Sequence, residues 1–462
     1  MKSIIYPLST KLAILQQCEY DLSLWQQWLK ETRTADEIKN LASLEPEKWT
    51  LKLKLIRWTV RIFDQINTNL TIKLAVSVFK MLESFLVSCL IFWSSVKLGV
   101  YRQQGLKVVV IAGSYGKTSV KHWLKHQLGH QWSVLTTPAS YNTPLSNALT
   151  IIKQLQSYHK ILILELGEYQ IGDIAGFLKW LKPDYGVLTP VGWAHGSRLG
   201  EKAIIEQALL ELVGHRCSPH VVLSDVANKS FLSQKNLIRG DQKLIWYGSN
   251  TDESEIDYQL ILTKADQKGS SGEVKYPVNN KTASKKKSSI ETRLLGLAAL
   301  ENALPGIALT SMLKGNIDIA IKASAYIPDI ERRLAVSQPG GVTLIDNSYN
   351  TNPGSWQKNY ELLSQLKLNN LAVVTGGFVE LAAKDNESQQ ILLANQLMEI
   401  ASVVGVIKSR FNQPLIAELE KKKFSYLVGY SQAEVLEKLS NLNLEKPIEH
   451  LWLEGGMREM YQ

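Results

Sequence analysis

The sequence predicts an α/β protein. We expect a parallel-sheet central domain with a phosphate-binding P-loop, a C-terminal doubly wound, Rossmann-like domain, and a helical N-terminal segment before both. Two observations carry this prediction. A β-branched run leads through a glycine turn into a helix at 106–120, and strand-like and helical stretches alternate from residue 105 onward. Residues 1–104 show helical patterns only.

The chain has 462 residues, enough for roughly three domains of about 150 residues each. The predicted boundaries are 1–104, 105–315 and 316–462. A hydrophobic content of 45% and a charged content of 21% are typical of globular proteins. The net charge is +9, but no dense basic stripe with interleaved aromatics is present, so we predict no nucleic-acid binding.

The cysteines indicate a reducing compartment. There are three, widely spaced and without a C-x-x-C pair, which argues against a disulfide framework or a zinc site. The N-terminus lacks the long apolar core and small-residue cleavage site of a secretory signal. We therefore expect a cytoplasmic protein.

The N-terminal segment is predicted to contain helices at 12–29 and 51–66. The stretch 84–96 is free of charge, but charged residues bracket it, and it is shorter than the ~20 residues of a membrane span. This length favours a buried helix, or one lying in the membrane interface, over a true span. We expect residues 1–104 to dock the protein to the inner face of a membrane or to a partner.

The central domain begins with the clearest motif. Residues 108–112 are typical of a buried parallel strand, 113–116 form a tight turn, and a helix starts at Lys117. Backbone N–H groups and the helix dipole then face an anion, Lys117 can reach the β- and γ-phosphates, and the Thr118 hydroxyl can bind Mg²⁺. The spacing is G-x-x-G-K-T-S instead of the longer P-loop pattern, so an ordinary strand–helix turn is the alternative. The candidate nucleotide-binding residues here are Gly113, Ser114, Gly116, Lys117, Thr118 and Ser119.

Two further polar residues follow strands that should end at the same edge of the sheet. Glu165 ends the apolar strand 160–165, beside the phosphate loop, where an acid can bind Mg²⁺. The alternative is an acid at the protein surface. His195 ends the loop after strand 185–189. A contact with a second metal or a phosphate, or a purely structural histidine, is compatible with that position.

The remaining strands are assigned by apolar, β-branched runs. The polar, Gly-, Ser- and Lys-rich stretch 264–290 is predicted to be a hairpin with a long mobile loop, with the Lys285–287 run in solvent. Predicted strands not yet named are 133–136, 220–223, 342–346, 371–375, 403–407, 426–428 and 450–453.

Several motifs together resemble the Mur ligase family. They are G-S-Y-G-K-T-S, S-Y-N-T-P at 140–144, L-E-L-G around Glu165, V-G-W-A-H ending at His195, and D-N-S-Y-N-T-N-P at 346–353. The last is similar to the motif of the members that add D-Ala-D-Ala to a UDP-muramyl tripeptide. The resemblance covers about 106–462, whereas 1–104 does not resemble a uridine-nucleotide-binding domain.

The resemblance implies an ATP- and Mg²⁺-dependent ligase. ATP would phosphorylate a carboxylate, an amine would attack the acyl phosphate, and phosphate would leave. By resemblance Lys117 holds the γ-phosphate, Thr118 and Glu165 hold one Mg²⁺, and His195 lies at a second. The family pattern further places Asn302 at the adenine, Arg333 (or its neighbour Arg332) and Asn347 at the nucleotide and its ribose, and Tyr349 and Asn350 beside them.

Four positions depart from the family pattern. Leu209 stands where an ungapped alignment places the carbamylated lysine of the second metal, and Asn347 replaces the ribose-binding acid. Gly377 replaces another acid, and Glu454 begins the E-G-G-M-R that stands for K-G-S-R. These changes lie away from the P-loop, so nucleotide binding is better supported than the usual peptide ligation.

The sequence thus predicts an ATP-dependent carboxylate–amine ligase in peptidoglycan precursor synthesis. A UDP-muramyl peptide or a related acceptor and an amino acid or dipeptide are the expected substrates. A non-catalytic nucleotide-binding scaffold is one alternative. A Mur-like subunit that needs a partner for amidation is another.

Overall fold

The computed structural model describes residues 68–168, 170–192, 202–233, 241–249, 256–278, 281–379, 381, 383–409, 411–443 and 446–455, together with 11 and 54–56. The chain divides into two compact units, Met1–Leu90 and Ile91–Gln462. The helices predicted at 12–29 and 51–66 lie almost wholly outside the described residues. The predicted division into three domains stays a prediction.

The N-terminal helix α1 runs from Thr68 to Gln103. Its last turns belong to the larger unit, in which Ser94 Oγ donates to the Ala148 carbonyl at 3.1 Å and Lys97 Nζ donates to the Ile152 carbonyl at 2.7 Å. Ten large apolar side chains of α1 are exposed, so the expectation of a buried helix is wrong for this stretch. The exposed residues are Leu74, Val78, Met81, Leu82, Phe85, Leu86, Phe92, Trp93, Val96 and Val100.

The apolar part of α1 is also longer than the 13 residues that the charges predicted. Within Ile72–Gln103, an 18-residue window with at most two charged residues has a mean hydropathy of 1.9. Among the described residues, this is the one helix long and apolar enough to cross a membrane, by length and composition alone.

In the described part of the chain, the central sheet has nine strands in the order β2-β3-β1-β4-β5-β6-β7-β8-β9. Strands β1 to β7 pair in parallel, whereas β7, β8 and β9 pair antiparallel. The strands are β1 Lys107–Ala112, β2 Val134–Thr136, β3 Ile161–Glu165, β4 Tyr185–Leu188, β5 Val221–Asp225, β6 Lys243–Gly248, β7 Tyr258–Asp266, β8 Gly269–Val278 and β9 Lys281–Thr292.

Helices cover both faces of this sheet, which explains the uninterrupted apolar run of β1. Val109 and Ile111 pack into one core, while Val108, Val110 and Ala112 pack into the other. The helices are α2 Lys117–Gly129, α3 Pro144–Gln154, α4 Asp173–Leu181, α5 Lys202–Gly214, α6 Lys229–Ser233, α7 Leu297–Glu301, α8 Leu304–Met312 and α9 Ile317–Ala323.

The prediction of a long mobile loop within 264–290 is wrong. This stretch forms β8 and most of β9, which pair along their length. Val274, Tyr276 and Ile290 point into the core, while Lys287 lies on the opposite face, where its Nζ is 3.2 Å from Glu273 Oε1. The polar composition concealed an antiparallel sheet with one solvated face.

The C-terminal sheet has six strands among the described residues, in the order β10-β11-β15-β12-β13-β14, and all except β10 are parallel. The strands are β10 Ala335–Ser337, β11 Thr343–Asn347, β12 Leu371–Thr375, β13 Val403–Ile407, β14 Tyr426–Gly429 and β15 His450–Glu454. The helices are α10 Pro353–Leu366, α11 Ala383–Ile400, α12 Gln413–Lys421 and α13 Gln432–Ser440. The predicted α/β class with parallel-rich sheets is confirmed.

Candidate active site

The phosphate loop has the predicted strand–turn–helix geometry. β1 ends at Ala112 and α2 begins at Lys117. Gly113 has φ of 139°, and a Cβ there would lie 2.1 Å from Thr189 Oγ1, so only glycine fits. The loop can therefore pass close to β4 and direct its backbone N–H groups into the space above the sheet.

A cavity of about 320 Å³ opens between this loop and the C-terminal sheet. Eleven of the predicted site residues, which come from motifs far apart in the sequence, line this cavity. They are Ser114, Gly116, Lys117, Thr118, Ser119, Glu165, Asn302, Arg333, Asn347, Tyr349 and Asn350. Gly113 shapes the loop behind them, and His195 lies outside the described residues.

Buried acids pair with two of the three lysines of the helix α2, Lys117 and Lys121. Lys117 Nζ lies 2.9 Å from Glu168 Oε1, and the Glu168 side chain is fully buried. Lys121 Nζ lies 2.8 Å from Glu165 Oε1. Burial lowers the pKa of Lys121, and the neighbouring Glu165 carboxylate opposes that shift. Sequence analysis missed both Glu168 and Lys121, although each lies within four residues of a predicted site residue.

The oxygen atoms beside Thr118 suit a hard divalent cation. Thr118 Oγ1 donates to Glu165 Oε2 at 3.1 Å and lies 3.1 Å from Ser140 Oγ. Two hydroxyls and a carboxylate are ligands that Mg²⁺ accepts, with water or phosphate oxygens in the remaining positions. Among the described residues, no group of three or more His, Cys, Asp and Glu side chains could hold a metal.

The position expected for a carbamylated lysine is closed. Leu209 lies in α5 and is fully buried in the apolar core. An apolar side chain packed in this way offers nothing to a second metal. Gly377 explains another departure: its φ is 69°, and a Cβ there would lie 2.7 Å from Gln390 Oε1, so an acid does not fit.

The opposite wall of the cavity comes from the C-terminal sheet. The Arg333 guanidinium lies 4.2 Å from the centre of the Tyr349 ring, a cation–π contact. Its neighbour Arg332 is used differently, because its Nε and Nη2 donate to Ser348 Oγ and the Ser348 carbonyl, each at 2.9 Å. Of the two arginines that the sequence left open, Arg333 is the one that lines the cavity.

A further charged cluster, which sequence analysis missed, lies beside Asn302. Lys358 Nζ of α10 is 2.6 Å from Glu301 Oε2, and Ser249 Oγ donates to the same carboxylate. Asp225, at the end of β5, lines the cavity too. Burial, followed by the nearby Glu301 charge, raises the pKa of Asp225 to about 7.

Comparison with known proteins identifies the central domain. Residues 111–310 match the model of the Mur ligase middle domain. Over these 200 of the 462 residues, the chain is similar to the middle domain of Mur ligases. The predicted resemblance to Mur ligases is therefore confirmed. The relatives and solved structures described next confirm the likeness to MurF.

The curated relatives are UDP-N-acetylmuramoyl-tripeptide–D-alanyl-D-alanine ligases. The chain is 27% identical over 275 residues to that of Mycobacterium bovis, covering 56% of this chain and 49% of the relative. It is 25% identical over 309 residues to that of Escherichia coli, covering 66% and 64%. The chain thus spans about half the length of the first of these relatives.

Solved structures share the fold. MurF from Acinetobacter baumannii superposes with a TM-score of 0.67 at 20% identity, covering 81% of this chain and 78% of the other. MurF from Thermotoga maritima in complex with ADP gives 0.66 at 21% identity, covering 81% of each chain.

Proposed function

We propose that this protein is an ATP- and Mg²⁺-dependent ligase that joins a carboxylate to an amine through an acyl phosphate. The observation that carries the proposal is the cavity in which Lys117, Thr118 and Glu165 face Arg333, Asn347 and Tyr349. Phosphoryl transfer depends on positioning and charge neutralisation, which these residue types supply. The ADP complex of the Thermotoga maritima MurF supports a nucleotide as the ligand.

Each side chain has a defined task in this proposal. The Lys117 ammonium and the α2 N-terminus bind the phosphates, and Arg333 and Tyr349 bind the nucleotide from the other wall. The γ-phosphoryl group passes to an oxygen of the acceptor carboxylate and ADP leaves. The amine then attacks the acyl carbon, and phosphate leaves with that oxygen. Thr118 and Glu165 would hold a Mg²⁺ ion, which would supply neutralisation of the phosphate charge.

The substrates we propose are a UDP-muramyl peptide or a related acid, and D-Ala-D-Ala or another amino acid or dipeptide. The names of the curated relatives support this choice. The corresponding process is peptidoglycan precursor synthesis at the cytoplasmic side of the membrane.

The test is phosphate release from Mg-ATP by the purified full chain, with a panel of UDP-muramyl peptides and amines. Lys117→Ala should abolish turnover. Lys125→Ala is the matched control, because Lys125 lies on the same helix and is exposed. Release that requires both an acid and an amine supports a ligase, whereas release that neither substrate stimulates contradicts it.

A non-catalytic scaffold is the second candidate, and the buried Leu209 favours it, since that position cannot supply a carbamate. Tight ATP binding without turnover on any pair would support the scaffold. Turnover that appears only with a co-purifying protein that supplies ammonia would support the amidation subunit instead.

We further propose that α1 binds the protein to a lipid bilayer. Its exposed apolar residues extend from Leu74 to Val100, and its C-terminal end, with Ser94 and Lys97, belongs to the larger unit. An exposed apolar surface of this length fits acyl chains. Flotation of the full chain with vesicles of phosphatidylglycerol and phosphatidylethanolamine tests this proposal. Phe85→Asp should reduce flotation, whereas the control Leu392→Asp, at an exposed leucine of α11, should not. A wild-type protein that stays with the soluble fraction would contradict the proposed bilayer binding.

A further inference from the structure

The carboxylate of Glu454 is fully buried at the end of β15, directly behind the cavity. Three side-chain N–H groups donate to it. Trp452 Nε1 lies 2.7 Å from Oε2, Asn347 Nδ2 lies 3.2 Å from both oxygens, and Asn359 Nδ2 lies 3.3 and 3.2 Å from them. Burial raises the pKa of Glu454, and the Thr351 hydroxyl, together with these N–H donors, opposes that shift. The acid is therefore an acceptor for donors from three directions.

This arrangement fixes the amide of Asn347. A carboxylate accepts hydrogen bonds and does not donate them, so the Asn347 NH₂ group must face Glu454. The carbonyl oxygen then lies on the other side of the planar amide. Since Asn347 lines the cavity, the atom that it offers to a ligand is an acceptor, Oδ1.

The two positions are also partners in the sheet. Asn347 and Glu454 are paired across β11 and β15, at the carboxyl ends of both strands. Each departs from the family pattern, Asn347 by losing an acid and Glu454 by gaining one. The two departures are therefore in direct contact, since the Asn347 amide donates to the acid on the neighbouring strand.

We propose that Glu454 is a positioning residue that makes Asn347 a hydrogen-bond acceptor for a ribose hydroxyl of the nucleotide. This inference rests on the proposed function, because it needs a nucleotide in the cavity. It deepens that proposal by assigning ribose recognition to a pair of side chains, only one of which touches the ligand.

The pair has a testable electrostatic consequence. Asn347→Asp restores the acid of the family pattern, but it places a second carboxylate next to the buried Glu454. Two adjacent buried carboxylates cannot both ionise at ordinary pH, so one takes up a proton or the pair separates. The restored acid should therefore impair ribose recognition. Asn347→Asp combined with Glu454→Gln should recover it, because the introduced glutamine amide can donate to the introduced carboxylate in place of the lost contact.

The experiment measures binding of ATP, 2′-deoxy-ATP and 3′-deoxy-ATP to the full chain by calorimetry. The ratio of deoxy-ATP Kd to ATP Kd is the readout, because a merely structural role would change both constants together. We expect wild type to prefer ATP by roughly tenfold over at least one analogue, the order of one hydrogen bond. Glu454→Gln and Asn347→Asp should each reduce the ratio to about two or less, and the double variant should restore most of it. Glu437→Gln, at an exposed glutamate of α13, should leave it unchanged.

The outcomes separate the two proposals. A wild-type protein that binds no ATP defeats the proposed function itself. Wild-type binding without ribose discrimination, or discrimination that survives in Glu454→Gln and Asn347→Asp, overturns the positioning role alone. If Glu454→Gln does not fold, Asn347→Ala, which keeps the buried acid, serves as the second variant. It must lose the discrimination between ATP and the deoxy analogues. If Asn347→Ala still discriminates, the inference is wrong.

Discussion

Lys358 Nζ lies 2.6 Å from Glu301 Oε2. This ion pair joins α10 to Glu301, the residue before Asn302. Burial by itself lowers the pKa of Lys358, but the carboxylates of Glu301 and Asp225 oppose it and raise the pKa overall. The lysine therefore stays charged and pairs with Glu301 of α7, and the charge of Asp225 in β5 favours the same state. This contact forms part of the cavity wall that carries Asn302.

Removing that cation should destabilise the protein. Lys358→Met leaves the Glu301 carboxylate, only 9% exposed, without its cationic partner and with the Ser249 hydroxyl as a remaining donor. We expect a loss of about 1–3 kcal/mol in the free energy of unfolding, the cost of an unpaired, mostly buried polar group. Urea unfolding measures it, with the exposed Lys322→Met as control. Equal stability of the two variants would show that the pair contributes nothing.

Asp225 should make stability depend on pH. Burial first and Glu301 second raise its pKa from 3.8 to about 7. Between these values the native protein binds more protons than the unfolded chain, so the free energy of unfolding falls as pH rises. The contribution of Asp225 to the free energy of unfolding is complete below about pH 3.8, and it is lost as the pH passes 7.

The substitution Asp225→Asn removes this titration and keeps an oxygen for the bond that Asp225 Oδ1 accepts from the Ala227 N–H at 2.9 Å. Relative to this variant, wild type should lose stability between pH 4 and pH 7. Chemical denaturation across that range provides the comparison. A difference that stays constant with pH would contradict the buried titration.

Glu168 should oppose nucleotide binding. Both of its oxygens lie within 3.0 Å of Lys117 Nζ, the group that we propose for the γ-phosphate. An incoming phosphate must displace this carboxylate or accept its repulsion. We expect Glu168→Gln to bind ATP roughly tenfold more tightly, equivalent to about 1.4 kcal/mol. Weaker ATP binding would mean instead that Glu168 orients Lys117 for the phosphate. In a protein that already carries Lys117→Ala, Glu168→Gln should no longer change the ATP affinity in either direction.

Gly113 should be irreplaceable in the phosphate loop. Alanine there combines φ of 139° with a contact of 2.1 Å to Thr189 Oγ1. We expect Gly113→Ala to destabilise the protein by about 1–3 kcal/mol and to abolish ATP binding. Gly129→Ala is the control, because nothing lies within 4 Å of a Cβ there. Wild-type ATP affinity in Gly113→Ala would contradict the proposed phosphate cradle.

The local features of the site were predictable from sequence, whereas the ion pairs were not. A β-branched run, a glycine turn and Lys117 are adjacent in the chain, so their geometry follows from local rules. The acids that hold Lys117 and Lys358 lie 51 and 57 residues away, and their partners depend on how the sheets and helices pack. Asn302, Arg333 and Asn347 were found through family motifs, which already encode that packing.

Composition misled the prediction in the strands β8 and β9. Lysine and serine are depleted in strands, so the lysine run of β9 was expected to be a loop. The alternation of Val274 and Tyr276 with polar residues was the signal to weigh instead, because one apolar face is enough to anchor an antiparallel strand. The burial of Glu454 could not be foreseen either, since it depends on β15 entering between β11 and β12.

The most direct test of the ligase proposal is transfer of ¹⁸O from the acceptor to phosphate. A UDP-muramyl tripeptide labelled with ¹⁸O in its terminal carboxylate is incubated with Mg-ATP, D-Ala-D-Ala and the full chain, and the released phosphate is analysed by mass spectrometry. The acyl phosphate route predicts one ¹⁸O in each phosphate released, together with the new amide. Released phosphate without ¹⁸O, or no release at all, would contradict the ligase proposed for this cavity.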